Sequence, residues 1–191
     1  MAAMLISSEN PLVDVRTSVP DAVLDIRYAT ADNFLKKAIY PFPAAYLREN
    51  TAQRLSRAAD ALRSKGFRLK IYDAYRPLSA QKKMWEILPD ARYVADPKRG
   101  SYHNRGGAVD LTLARMDGTS VDMPSDYDDF SPKARHGDPG SSREAKKNLK
   151  ILRDAMEGAG FKALKEEWWH YHDPDARSYP VLDVGFEPKP S

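Results

Sequence analysis

The sequence predicts a single α+β domain built on a central, mainly antiparallel sheet flanked by helices. Phe67-Arg-Leu-Lys-Ile-Tyr72 and Ala108-Val-Asp-Leu-Thr-Leu113 alternate apolar and polar residues as half-buried strands do. Asp117-Gly118, just after the second stretch, is a hairpin signal. The helical segments also do not alternate one for one with strands, as a parallel βαβ sheet would require. A chain of 191 residues has the length of one domain, taken here as 1–191.

In chain order, residues 1–20 read as an irregular lead-in punctuated by Pro11 and Pro20. Ala22-Val-Leu-Asp-Ile-Arg-Tyr28 alternates as a strand with Leu24 and Ile26 inside. Ala29 to Ala45 is a long loop stiffened by Pro41 and Pro43. Its Phe34, Tyr40 and Phe42 either cover a site or pack on the core as a flap. Leu47 to Lys65 is the clearest helix, with Leu47, Ala52, Leu55, Ala58, Ala59 and Leu62 on one stripe. Asn50 or Thr51 is available to cap it, and Gly66 suits its stop.

After the strand at 67–72, Asp73-Ala-Tyr-Arg-Pro77 is a turn, and Ser79 caps a second helix over Ala80 to Leu88 that Pro89 ends. Residues 90–100 form a loop. Val121 to Met123 is the strand returning from the hairpin, and Ser125 to Ser142 is a polar surface excursion near the site. Ser141 or Ser142 caps a third helix reaching about Gly158, with Leu149, Leu152 and Met156 inward. Phe161 to Leu164 and Trp168 to His172 are strands. Val181 to Phe186 is a last edge strand before a tail at 187–191.

Thirty basic against 27 acidic side chains leave a net charge of +3, and Lys and Arg are scattered, which argues against nucleic acid as partner. With no cysteine there is no disulfide, thiolate metal ligand or cysteine nucleophile. Any transition-metal site must therefore draw on His103, His136, His170 and His172 together with carboxylates. No apolar run approaches the roughly 20 residues of a membrane span, and the first residues lack the features of a secretory signal. The expectation is a cytoplasmic protein without a membrane partner; oligomeric state is not legible.

The chemistry centres on Ser101-Tyr-His-Asn-Arg-Gly-Gly-Ala-Val-Asp-Leu-Thr-Leu113. Gly106-Gly107 lets the chain turn and brings the imidazole of His103 back toward the carboxylate of Asp110. A catalytic zinc needs three protein ligands and an open fourth position. The third ligand comes from Trp168-Trp-His-Tyr-His172, where His170 and His172 project to one face of a strand. Glu167 favours His170, because a hydrolytic site also needs a general base near the bound water. In an ideal strand, residues three apart face opposite ways. A turn, bulge or helical step between Glu167 and His170 is therefore required. Arg76, held by Pro77 at the end of a strand, suits stabilisation of an oxyanion; its competing reading is an ordinary salt bridge to Asp73.

Taken together, Tyr72-Asp-Ala-Tyr-Arg-Pro77, Ser101 to Leu113 and Glu167-Trp-Trp-His-Tyr171 resemble the VanX-type zinc D-alanyl-D-alanine dipeptidases, relatives of the D,D-carboxypeptidases. Tyr28-Ala-Thr-Ala-Asp-Asn-Phe34 extends the likeness over roughly residues 22 to 172. The resemblance implies a Hedgehog/DD-peptidase-like fold and one Zn2+ per chain on His103, Asp110 and His170. It implies Glu167 as general base, Arg76 as oxyanion donor, and Ser101, Asp128 and Tyr28 as substrate-binding residues around the ammonium of a small D,D-dipeptide. The segment from Trp85 to Lys98 looks shorter than in the vancomycin-resistance enzymes, which bears on the shape of the cleft. Rival readings on the same residues are a peptidoglycan D,D- or L,D-carboxypeptidase or endopeptidase, and a non-catalytic zinc-stabilised binding module.

Overall fold

In a computed structural model, which describes residues 9–186, the alternating stretch Phe67–Asp73 (β4) pairs antiparallel with Ala108–Arg115 (β5), the centre of the sheet. Beyond β5 lie Glu167–His172 (β7) and Lys162–Leu164 (β6), both antiparallel; on the other side Val23–Leu24 (β2) joins β4 in parallel. The order is β2-β4-β5-β7-β6, mainly antiparallel as expected. Helices Glu49–Arg63 (α2) and Arg143–Gly158 (α4) pack together over this sheet. Leu55, Leu62, Leu152 and Met156 are wholly buried there. Ser142 caps α4 by accepting the N–H of Ala145 at 2.9 Å.

Several elements differ from the sequence reading. The lead-in is ordered from Leu12: Leu12–Asp14 (β1) pairs with Tyr46–Arg48 (β3), and Asp14 caps the short helix Val15–Ser18 (α1). The expected helix thus loses its first residues to β3. Asn50 and Thr51 do not cap it, because Thr51 is buried and donates its hydroxyl to Asp173 at 3.0 Å. The strand at 22–28 stops early because the chain turns into a 3-10 segment at Arg27–Ala29, where the Tyr28 carbonyl accepts N–H groups from Ile39 and Tyr40.

The second helix, Leu78–Ile87 (α3), starts at Pro77 rather than at Ser79, whose N–H donates to Asp183 at 2.7 Å. The turn at 117–118 forms, with Arg115 N–H donating to the Thr119 carbonyl, but no strand returns over 121–123. There the Asp122 carbonyl accepts from Asn148 on α4 instead of from a sheet neighbour. Val181 to Phe186 also forms no strand; Leu182 bridges the backbones of Asn104 and Leu78. The tail at 187–191 and the first eight residues lie outside the described part.

Gly107 lies where the segment after β7 crosses β5. A Cβ there would stand 2.4 Å from the Cβ of Ala176. Gly107→Ala is expected to destabilise the protein by about 1–3 kcal/mol through overpacking. Gly158→Ala, where nothing lies within 4 Å, should be neutral or stabilising. Urea unfolding of both variants checks the pair.

Candidate active site

The register between β5 and β7 sets Asp110 opposite His170, so both side chains leave the same face of the sheet. His103 arrives from a 3-10 turn, His103–Arg105, that ends in Gly106 at φ +71. Glycine suits that left-handed conformation, and a Cβ would also stand 2.8 Å from Leu12. His103 Nδ1 donates to the Ala74 carbonyl at 2.7 Å, just past β4, which leaves Nε2 as a lone pair facing the site.

Three acceptors converge there. Asp110 Oδ1 lies 3.3 Å from His103 Nε2 and 3.0 Å from His170 Nδ1, and the two nitrogens are 3.2 Å apart. Ligands at about 2.0–2.1 Å around a tetrahedral zinc would be separated by about 3.3 Å, so this donor set has the spacing and chemistry of a zinc site. Burial opposes the charge on Asp110, but His103 and His170 overcome it and hold the carboxyl far below its usual range. Its second oxygen accepts the Tyr127 hydroxyl at 2.9 Å, fixing the carboxylate from behind.

The bulge demanded by the sequence is present. Pairing of β6 with β7 slips from Ala163↔Tyr171 to Leu164↔Glu167, and the slip brings Glu167 Oε2 to 4.0 Å from His170 Nδ1. The Glu167 side chain keeps 38% of its area exposed to the cleft, yet burial still pushes its carboxyl upward against the pull of His170. His172 points to the same side but stacks on Tyr102, rings 4.2 Å apart, and burial draws its pKa down to about 4. His136 lines a separate cavity beside α4.

The salt-bridge reading of Arg76 holds, and the guanidinium faces the cleft as well. Its Nε and Nη2 donate to Asp73 Oδ2 at 3.1 and 2.7 Å and its Nη1 to Gln81 at 2.8 Å, and it still lines the cleft. Asp73 is itself wholly buried and accepts the Tyr40 hydroxyl at 2.7 Å, so the loop at 29–45 packs on the core and supports the Asp73–Arg76 pair from behind, while none of its residues lines the cleft. Five N–H groups less three leave two on the guanidinium for a ligand. Asp128 adopts a left-handed φ of 58°, and its carboxylate accepts the Tyr28 hydroxyl at 2.7 Å. Burial pushes the Asp128 carboxyl up to about 8. Ser101 donates to Asn104, whose amide in turn donates to the Arg76 carbonyl.

A cleft of about 590 Å³ is lined by all eight residues singled out in the sequence: Tyr28, Arg76, Ser101, His103, Asp110, Asp128, Glu167 and His170. The sequence reading did not include Tyr127, Gln81 and Asn104. Asn104 sits inside the glycine motif, but Tyr127 and Gln81 carry no local signal, since their partners are 17 and five residues away.

A family model described as D-Ala-D-Ala dipeptidase, peptidase M15, matches residues 8–186. The D-alanyl-D-alanine dipeptidase of Escherichia coli (strain K12) is 38% identical over 176 residues, covering 92% of this chain and 91% of that protein. That of Enterococcus faecium is 32% identical, covering 81% of this chain and 89% of the relative. A crystal structure of the vancomycin resistance D,D-pentapeptidase VanY with Zn(II) aligns at 16% identity and a TM-score of 0.44, covering 70% of this chain and 78% of that one.

Two outcomes follow from the geometry. Metal analysis should find one zinc per chain, and His103→Ala, Asp110→Ala or His170→Ala should each lower its affinity at least tenfold. The second concerns Asp128 in chelator-treated protein. Its raised folded pKa means the unfolded chain releases this proton from about pH 4 upward while the folded chain holds it to about 8, so stability falls across that window. Asp128→Asn, which cannot titrate, should melt progressively above wild type as pH rises from 5 to 8 in thermal scans.

Proposed function

Because the chain belongs to the peptidase M15 family of D-Ala-D-Ala dipeptidases, we propose that it cleaves the free dipeptide D-Ala-D-Ala into two D-alanines, with Glu167 as general base and Arg76 as oxyanion donor. The observation that carries this reading is the meeting of His103, Asp110 and His170 within 4.8 Å in a cleft that also holds Glu167 and Arg76. A zinc ion held by those three side chains supplies a water of pKa about 7 and Lewis-acid polarisation of the scissile carbonyl.

Glu167 takes a proton from the attacking water and returns it to the departing amine. Its position by the ligand His170 fits that shuttle, and its upward-shifted pKa makes the carboxylate the stronger base in the first step. Arg76 directs its two remaining N–H groups at the developing oxyanion. The ion pair with Asp73 keeps the guanidinium charged and fixed, so little reorganisation accompanies the step.

Asp128 and Tyr28 receive the ammonium. An arriving ammonium favours the ionised form of Asp128, which in the empty cleft keeps its proton to about 8, and pairs with it, whereas an acylated substrate would place an uncharged amide there and gain no such pair. That asymmetry favours a dipeptidase over a carboxypeptidase acting on longer peptides. Ser101, braced by Asn104, completes the polar wall.

Zinc-loaded protein should hydrolyse D-Ala-D-Ala and leave acyl-D-Ala-D-Ala and L-Ala-L-Ala intact. Glu167→Ala should retain zinc while losing at least 10³-fold in kcat, and Arg76→Ala about 10²–10³-fold. Cleavage of the acylated peptide in preference to the free dipeptide would transfer the assignment to the carboxypeptidases.

A further inference from the structure

The cleft carries charge that the reaction derived above leaves unused. Arg99, Arg105 and Arg177 line it alongside the acidic Asp128 and Glu167. Arg76 is matched by Asp73, but among the described residues none of these three guanidinium groups is paired with a carboxylate. Arg105 donates to the Tyr179 carbonyl at 2.5 Å and Arg177 Nε to the Tyr102 hydroxyl at 2.8 Å. Arg99 and Arg177 are exposed.

The charge is also ordered along the chain. β7 runs from Glu167 past His170 to His172, and Arg177 lies in the turn Ala176–Ser178 that follows. On the Glu167 side, the neighbours of Asp128, Asp129 and Phe130, share a cavity wall with Glu166 and Glu167, and also with Arg135 and with Arg92, the latter paired with Asp90. On the far side, Tyr102 stacks on His172 and receives Arg177. The segment bearing Arg177 is held in place. The wholly buried Asp173 accepts the hydroxyls of Thr51 and Tyr179, each at 3.0 Å, and its N–H donates to the Gly107 carbonyl at 2.8 Å.

We infer that Arg177, together with Arg99, binds the free C-terminal carboxylate of the substrate, so that the cleft selects a molecule charged at both ends. This rests on the dipeptidase reading. A guanidinium presents its donors in a fork that matches a carboxylate. In an extended dipeptide the ammonium and carboxylate stand roughly 7 Å apart or less, on opposite sides of the scissile bond. Bound across His170, such a molecule meets the acidic side with its ammonium and the basic side with its carboxylate. The reversed orientation would set like charges together at both ends.

The test compares D-Ala-D-Ala with D-alanyl-D-alaninamide, in which the carboxylate is neutral, for wild type, Arg177→Gln, Arg99→Gln and the double variant. Wild type should prefer the free acid in kcat/KM, and the double variant should shrink that preference about 10- to 100-fold, chiefly through a higher KM for the dipeptide. Arg177→Lys should keep most of the preference, since it keeps the charge. Calorimetric binding of both compounds to zinc-loaded protein in a Glu167→Gln background reads the same discrimination without turnover. A preference for the acid that survives in the double variant, in either measurement, overturns the assignment even if both rates fall together. Failure of wild type to cleave D-Ala-D-Ala at all would instead bring down the dipeptidase reading.

Discussion

Two imidazole nitrogens and a carboxylate oxygen, each turning a lone pair inward, lie within 3.3 Å of one another in the interior of this protein. Such a cluster of lone pairs is costly to bury unless a cation shares it, either a metal ion or, in the metal-free protein, protons on the imidazoles that pair with Asp110. The fold holds the cluster together with contacts from several sides. Pairing of Asp110 with His170 across two strands sets one edge, the Ala74 carbonyl orients His103, and Tyr127 fixes the outer oxygen of Asp110. Each support comes from a different part of the chain, so the site exists only when the sheet has closed.

A second buried charge lies beside the first. Asp73 ends β4, has no exposed surface, and carries Arg76, the Tyr40 hydroxyl and the N–H of Ala74 on its two oxygens. Removing either member of the Asp73–Arg76 pair would strand the other in an apolar setting, which typically costs 3–5 kcal/mol. The pair is thus weak as a source of stability and strong as a positioning device. Through Ala74, one residue further on, the same turn also reaches His103, so the proposed oxyanion donor and a metal ligand share one piece of backbone.

The sheet centre, α2, α4 and the group His103, Asp110, His170, Glu167 and Arg76 were legible from local pattern, such as strict alternation in β4 and β5, an apolar stripe in α4 and a double glycine before Asp110, whereas Ser101, Asp128 and Tyr28 were named only through the family resemblance. What the sequence hid was decided at long range. Leu12–Asp14 becomes a strand only because Tyr46–Arg48 is there to pair with it, and Leu47 and Arg48 in turn read as the start of a helix. Val181 to Phe186 alternates well enough for a strand, yet its partners are a loop and a helix N-terminus rather than an edge. Period-2 alternation reports a half-buried face without saying what lies across it.

The slip in β7 shows why a departure from regular structure was needed at the centre of the site. In an unbroken strand Glu167 and His170 would face opposite sides of the sheet, and a base could not approach a water held at the metal. Letting Leu164 pair with Glu167 while Ala163 pairs with Tyr171 folds three residues into the space of one pairing step and returns both side chains to one face. Trp168 and Trp169, carried in that bulge, are each 1% exposed and anchor it against the core, so the irregularity is locked by large apolar side chains. One short strand then presents, in sequence, the proposed base, a metal ligand and the histidine on which Tyr102 stacks, and leads into the turn that carries Arg177. Of the cleft's lining, β7 supplies Glu167 and His170 and the turn after it Arg177, so the proposed orientation of a doubly charged dipeptide would follow the order of residues along one stretch of chain.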